Sequence, residues 1–388
     1  MKRGPTGILR TTETTGESVR AFLPNPLPPA PPLDLSGSIQ QQLERAHLAI
    51  GRLDSISSLV PDPQLFLFTY VRKEALLSSQ IEGTQSSLSE LMLFEIGESL
   101  GGPDTDVTEV SNYVAALEHG LARLRGGFPL SNRLICEIHQ QLLSRGRGSD
   151  KDPGHFRRSQ NWIGGTRPGN AAFVPPPPDL VTEHMSDLEK FLHRTDDGLP
   201  SLVRAALAHV QFETIHPFLD GNGRVGRLLI TLLLCHAKAL QEPLLYLSLF
   251  FKQHRQDYYR LLDLVRNEGD WEAWLSFFLD GVATTADSAV STVRRLVTLW
   301  QQDQAKLQQL GREASTVLRV HEALKQRPVQ SVKSLTAETQ LTFPTVNKNL
   351  ERLTQLGIVR ELTGKQRNRM FAYGAYLDIL NEGTEAIA

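Results

Sequence analysis

His216, Asp220, Asn222, Arg224 and Arg227 fall within twelve residues, interleaved with Pro217, Phe218 and three glycines, Gly221, Gly223 and Gly226. A glycine-rich turn that feeds a helix start gathers unpaired N–H groups at the positive end of the helix dipole, which suits an anion. Arg224 and Arg227 add cationic forks that match phosphate. Asp220 is the one carboxylate among them, the kind of ligand that holds Mg²⁺ while the ion touches phosphate oxygens. His216 can take a proton near neutral pH. The loop has no Ser or Cys, so the attacking group belongs to the substrate. These residues point to metal-assisted transfer from a nucleotide phosphate to an acceptor that His216 deprotonates. Zinc fits less well: a catalytic site wants three protein ligands, and Pro217 breaks the helix face that His216 and Asp220 would share.

Two helices must hold this loop. Leu202, Ala206 and Val210 lead into it, and Leu228, Leu229, Leu232 and Leu233 lead out. The 3–4 spacing of Ile39, Leu43, Ala46, Ile50 and Leu53 predicts a buried helix face. Asp62-Pro63 marks the start of another helix, which Gly83 stops. Further helices are expected over 86–97, 107–124, 131–144, 180–194, 200–213, 224–239, 255–266 and 271–310. Between Asn161 and Pro178, β-prone runs flank Arg167-Pro168-Gly169-Asn170 and predict a hairpin. Residues 1–35 are polar and then proline-rich, which predicts an extended arm on the protein's own surface. After about Arg312, three short helices followed by two alternating segments around Gly364-Lys365 give the order of a winged helix-turn-helix.

With 388 residues and 40% apolar content, the chain can bury a large core as two or three domains. Its net charge of −2 excludes a surface that is basic throughout. That total hides a contrast, because residues 312–376 carry 11 Lys+Arg against 5 Asp+Glu. Cys136 and Cys235, far apart in sequence, read as buried free thiols rather than a disulfide or metal set. No run of about 18 apolar residues predicts a membrane span, and the first residues do not read as a signal peptide, so the cytoplasm is the expected compartment.

The stretch from His216 to Arg227 resembles the Fic family, whose motif HPFx(D/E)GNGRxxR it matches throughout. The resemblance implies a mainly α fold: a Fic-type helical core with a β-hairpin flap, followed here by a C-terminal winged-helix domain. It implies AMP transfer from ATP, with Mg²⁺, to a hydroxyl of a target protein, and self-modification as a side reaction. His216 would be the base and Asp220 the metal ligand. Gly221, Asn222, Gly223, Arg224, Val225, Gly226 and Arg227 would hold ATP and its phosphates, Arg227 at the γ-phosphate, with Tyr259 beside the adenosine. Phe218 would anchor the loop, and Ile163, Gly164, Phe173 and Val174 would form the flap that docks the target by strand addition.

Ser78-Ser79-Gln80-Ile81-Glu82-Gly83 is similar to the family's inhibitory pattern (S/T)xxxE(G/N). By that resemblance Ser78, Glu82 and Gly83 form a brake, with Glu82 pairing with Arg227 and denying it to the γ-phosphate. Such chains also run the reverse reaction, removing AMP. The expected layout is a proline-rich arm (1–35), a helical region with the inhibitory helix (36–100), the catalytic core (101–285), a linker helix (286–311), the winged helix (312–376) and an acidic tail (377–388). Two other readings compete: Fic-type transfer of a different phosphate-containing group, and a DNA-binding regulator. In the latter, Thr345, Asn347, Lys348, Asn349 and Arg352 would meet the major groove, with Lys365, Arg367 and Arg369 on the wing. The apolar stripe Val293, Leu296, Val297, Trp300, Leu307 and Leu310 suits a homodimer, while Asp303 and Gln304 suit packing within the chain.

Overall fold

The computed structural model describes residues 2–59, 63–97, 104–364 and 369–385. A hairpin, β1 (Gly7–Thr14) and β2 (Glu17–Pro24), precedes the helices α1 (Ser38–Leu59), α2 (Pro63–Ile81), α3 (Leu88–Glu95), α4 (Asp104–Arg125) and α5 (Asn132–Leu142). Then come α6 (Pro178–Leu192), α7 (Ser201–Ile215), α8 (Asn222–His236), α9 (Ser248–Gln253), α10 (Arg255–Glu268) and the 38-residue α11 (Trp271–Gln308). The chain closes with α12 (Ala314–Gln326), β3 (Val329–Ser331), α13 (Val332–Thr339), α14 (Phe343–Gln355), β4 (Val359–Glu361), β5 (Met370–Tyr373) and α15 (Gly374–Asn381).

Helix starts follow local chemistry. Pro178 stands at the first turn of α6, where its missing N–H costs nothing. Ser87 and Glu90 form a capping box on α3. The helices that flank the motif are buried on nearly every side, as helices at the centre of a core must be. Trp274 Nε1 of α11 donates to Ala206 O of α7 at 3.0 Å. His209, on α7, bonds Gly226 O on α8 through Nδ1 and Tyr258 OH on α10 through Nε2. A carbonyl only accepts, so Nδ1 carries the proton and Nε2 accepts from the tyrosine. These contacts fix α7, α8, α10 and α11 in one frame.

Several expectations are corrected. Residues 7–24 are not an extended arm but an antiparallel hairpin pairing Gly7 with Pro24 through Thr14 with Glu17. Thr15 and Gly16 turn it with φ of 48° and 79°, the conformation of a tight two-residue hairpin turn. The proline-rich part beyond it is not a regular extended arm either: it bends at residues 27–28 and 30–31 and holds two cis bonds, Leu27-Pro28 and Ala30-Pro31, and Arg3 donates to Pro31 O and Pro32 O. The hairpin expected over 161–178 shrinks to a single bridge, Ile163 to Phe173, since prolines at 168 and 175–178 remove ladder donors. The expected linker helix, 286–311, is continuous with the core helix before it as α11, which ends at Gln308, and the acidic tail begins inside α15, whose Tyr376, Leu377 and Leu380 are buried. Cys136 and Cys235 are free but only half-buried.

Residues 314–373 run helix, strand, helix, helix, strand, strand, with sheet order β3-β5-β4, all antiparallel. Their core joins that of the body. Leu296, Trp300 and Leu307 of α11 are buried within the chain, and Tyr373 OH donates to the buried carboxylate of Asp303 at 2.7 Å. The stripe on α11 is thus consumed by intrachain packing. No helix among the described residues is long and apolar enough to cross a membrane.

Candidate functional site

His216 ends α7 in the left-handed region, with φ 49° and ψ 61°. That conformation costs a non-glycine residue on the order of 1 kcal/mol and persists only where neighbours impose it. Arg157 imposes it here. This buried side chain donates through Nε to His216 O at 2.9 Å and through Nη2 to the carbonyls of Pro176 and Ile215, while its backbone N–H donates to Pro217 O. With only carbonyl partners, burial lowers the guanidinium's pKa to about 10.

The loop between the two helices is braced from three further sides. Phe218 is fully buried and stacks on His139 of α5 at 3.7 Å. His139 Nε2 donates to Asp220 O, and its Nδ1 accepts from Gly154 N; burial holds the ring neutral, with its pKa lowered to about 4. Asn161 Nδ2 donates to Phe218 O at 2.8 Å. Asn222 grips both ends of the Phe218 peptide: its Oδ1 accepts from Phe218 N and its Nδ2 donates to Phe218 O, each at 2.8 Å.

The result is a cavity of about 510 Å³ lined by His216, Gly223, Arg227, Glu82, Glu213 and Tyr259, among others. His216 lies at its edge with Nδ1 buried and unpartnered. Burial, then the charges of Arg266 and Arg157, lowers its pKa to about 4, so the ring is neutral at pH 7 and able to accept a proton.

Arg227 faces the same space. Its Nε donates to Ser78 Oγ at 2.9 Å, and its Nη2 donates to Ser78 O at 3.0 Å and to Glu82 Oε1 at 2.7 Å. Glu82 follows the last residue of α2, where that helix's dipole disfavours a carboxylate. The same carboxylate lies against Gly223 in the first turn of α8, where the dipole favours it. A Cβ on Gly223 would sit 2.4 Å from Glu82 Oε1 and 3.1 Å from Arg227 Nη1, so a larger residue there would have to displace the Glu82 carboxylate. Burial alone would raise the Glu82 carboxyl, but Arg227's charge and hydrogen bond, with Arg224 and His216 behind them, hold it below its ordinary range. Arg227, conversely, holds its proton more tightly than usual, because Glu82 outweighs its desolvation. Gly83 closes the turn with φ 101°.

Other expected residues have different duties. Arg224 is buried in an ion pair with Glu109 of α4 at 3.0 Å and stands 3.7 Å from Asp220. Val225 is in the core, and a Cβ on Gly226 would meet Glu213 Oε1 at 2.3 Å and Phe212 at 3.2 Å. Helix rotation turns both away from the cavity, so the structure brings neither to a phosphate position. The Asn222 side chain is likewise committed to the loop. Gly221 takes φ 78° as the N-cap of α8. Tyr259 is 40% exposed at the cavity wall, and Tyr258 is buried behind it. In the flap, Ile163 N donates to Phe173 O at 2.8 Å. Ile163, Gly164 and Phe173 line the cavity, whereas Val174 is buried against Val19 and Ala21 of β2.

Asp220 accepts from Gly221 N through Oδ1 at 2.6 Å. Its Oδ2 faces the space that Gly148 leaves open, where a Cβ would intrude to 2.7 Å. Among the described residues no group of three or more His, Cys, Asp or Glu could hold a metal. A single carboxylate is what Mg²⁺ takes when phosphates complete its shell, so Asp220 fits a nucleotide-borne ion and not a protein cage.

Arg157, His139, Asn161, Glu109 and Glu213 were not expected from the sequence. Glu213 is buried with Oε1 unpartnered, and burial raises its pKa to about 7. Its position one turn before His216, on the same helix, was the available signal.

A model of the Fic/DOC family N-terminal region matches residues 40–122, and a model of the Fic/DOC family matches residues 129–234. The chain is 34% identical over 258 residues to a protein adenylyltransferase Fic of Aedes aegypti, covering 64% of this chain and 47% of that protein. It is 34% identical over 212 residues to the corresponding protein of Culex quinquefasciatus, covering 53% and 39%. It thus spans less than half the length of these curated relatives. A solved Fic family protein from Desulfovibrio desulfuricans G20 superposes with a TM-score of 0.60 at 22% identity, covering 89% of this chain and 98% of that one, a likeness of fold.

Proposed function

Because the chain carries a Fic/DOC N-terminal domain followed by a Fic/DOC domain, we propose that it transfers AMP from ATP to a Ser, Thr or Tyr hydroxyl of proteins, itself included, under restraint by Glu82. One observation carries the reading: a neutral His216 and, in the second turn of α8, Arg227 face one cavity, and the Glu82 carboxylate holds the arginine. The curated relatives named protein adenylyltransferase Fic supply the reaction class.

In this reaction His216 takes the acceptor's hydroxyl proton, and the freed oxygen attacks the α-phosphorus. The bond from that phosphorus to the bridging oxygen breaks, and pyrophosphate leaves. The backbone N–H groups at the start of α8 receive phosphate oxygens. Arg227, once released from Glu82, takes the γ-phosphate and so fixes the angle of attack. Asp220 would hold Mg²⁺, which neutralises phosphate charge when bound. Arg157, His139 and Asn222 keep the loop from moving. With Glu82 in its pair, ATP binds out of line, and a displacement of about 1 Å costs on the order of 100-fold in rate. The same Glu82 is suited to orient a water for removal of AMP.

Mass spectrometry of lysate incubated with the Glu82→Gly variant and ATP tests the reading. AMP adducts on Ser, Thr or Tyr are expected; adducts carrying phosphate alone would replace this chemistry with another transfer.

A second reading concerns residues 312–376, which we read as a winged helix that docks on DNA. It is favoured by the local excess of 11 Lys+Arg over 5 Asp+Glu and by the exposed Lys348 on α14. Asn349 is removed from that surface, being buried beneath Thr316, and Lys348 pairs with Glu313. Lys365 and Arg367 lie outside the described residues, and Arg369 donates to Asn347. A gel shift whose binding weakens with salt is expected; absence of binding at low salt would remove this reading.

A further inference from the structure

The hairpin β1–β2 contributes no residue to the cavity lining, yet β2 is fastened to the flap. At the flap tip, Glu17 Oε2 accepts from Gly169 N at 2.8 Å and pairs with Arg167 Nη1 at 2.9 Å. Further along, Phe22 N donates to Val174 O at 2.9 Å, and the Phe22 and Phe173 rings stand 6.0 Å apart. Val19, Ala21 and Val174 form a small core of their own, against which Trp162 and Ala171 pack.

The segment that leads into β1 is anchored to the body. Thr6 N donates to Arg266 O and Gly4 N to Glu268 O, each at 3.0 Å. Arg3 forks onto Glu272 at 2.5 and 2.7 Å, with side chains 3% and 14% exposed. Arg266 in turn lies over the Phe173 ring at 4.1 Å.

A flap joined by one β-bridge cannot hold its own register, since even a full two-stranded hairpin is marginal in water. An acceptor segment that adds as a strand needs an edge already fixed in place, because any error in that edge is passed to the hydroxyl. β2 holds the flap by one backbone hydrogen bond at Val174. Trp162, Ile163 and Gly164 remain facing the cavity.

We propose that the N-terminal hairpin braces the flap, and that Glu17 and Phe22 are positioning residues for acceptor docking. This rests on the AMP-transfer reading, which deletion of the hairpin alone would not test. The experiment uses the full chain in the Glu82→Gly background, with Glu17→Ala, Glu17→Gln and Phe22→Ala. Three quantities are measured: amide exchange of residues 161–174, the KM for ATP, and the lysate concentration that half-saturates labelling from α-labelled ATP.

For Glu17→Ala, flap exchange rises about tenfold and half-saturation moves to about tenfold more lysate, the weight of one charge-assisted hydrogen bond. The plateau and the KM for ATP stay unchanged. Glu17→Gln, which keeps an acceptor for Gly169 N, recovers part of the loss. Phe22→Ala acts in the same direction as Glu17→Ala. Unchanged flap exchange would overturn the brace. Faster exchange with unchanged half-saturation would overturn the positioning role, as would a KM for ATP that rises in parallel. If the Glu82→Gly parent labels nothing, the AMP-transfer reading fails, and the exchange measurement still decides the brace.

Discussion

Replacing Glu82 with glycine removes one of the three hydrogen bonds that tie Arg227 to the end of α2. The lost bond, Nη2 to Glu82 Oε1 at 2.7 Å, joins two charged groups, and such bonds contribute about 1.5–3 kcal/mol. If ATP must break it to engage Arg227, its removal speeds transfer by about 10- to 150-fold. Arg227 is not set adrift, because Ser78 still accepts from Nε and Nη2. The glycine also clears the first turn of α8, where the Glu82 carboxylate lies beside Gly223. The assay is the initial rate of incorporation from α-labelled ATP at saturating nucleotide. Glu82→Gln serves as control: it keeps the bulk, loses the charge, and falls between wild type and glycine. Equal rates for wild type and Glu82→Gly at saturating ATP would refute the argument.

The remaining predictions concern the supports of the site. His216→Ala abolishes transfer both in wild type and in Glu82→Gly. In Glu82→Gly the rate is flat around neutrality and falls as pH drops through about 4, because His216 must be neutral to accept a proton; a midpoint near the ordinary 6.5 would contradict the burial argument. Glu109→Ala leaves the buried Arg224 with only Asp220, 3.7 Å away, and destabilises the fold by about 3 kcal/mol, the low end for a broken buried pair, read by denaturant titration. The buried Glu213, raised to about 7, contributes stability below its unfolded pKa and loses it as pH rises through 7. Glu213→Gln therefore gains on wild type between pH 5 and pH 8, by about 3 kcal/mol at most. A stability difference independent of pH would show that Glu213 is not held protonated.

The meeting of His216, Gly223 and Arg227 at one cavity was legible because they lie in one contiguous motif and each type has a distinct chemistry. The contact between Glu82 and Arg227 was legible through the spacing of Glu82 from Ser78 and its glycine stop. What escaped reading is long-range. Arg157 supports His216 from 59 positions away, His139 reaches Asp220 across 81, and Glu109 meets Arg224 across 115. A single Arg, His or Glu carries no local pattern that marks such a duty. Val225 and Gly226 were read as phosphate contacts because they lie inside the motif. Helical rotation separates them from Gly223 and Arg227, which share a face at i and i+4. The hairpin at 7–24 was missed because β1, Gly-Ile-Leu-Arg-Thr-Thr-Glu-Thr, is mostly exposed and lacks the apolar alternation of a half-buried strand. Thr15-Gly16 is also a weaker turn signal than Asn-Gly. The α-helical layout was read well, since amphipathic spacing of 3–4 persists over whole helices.

The most direct test of the central claim is incubation of the Glu82→Gly chain and its lysate acceptors with ATP labelled at the α- or the γ-phosphate. Transfer of AMP leaves the α label on protein and releases the γ label with pyrophosphate. Retention of the γ label on protein, without the α label, would contradict the account.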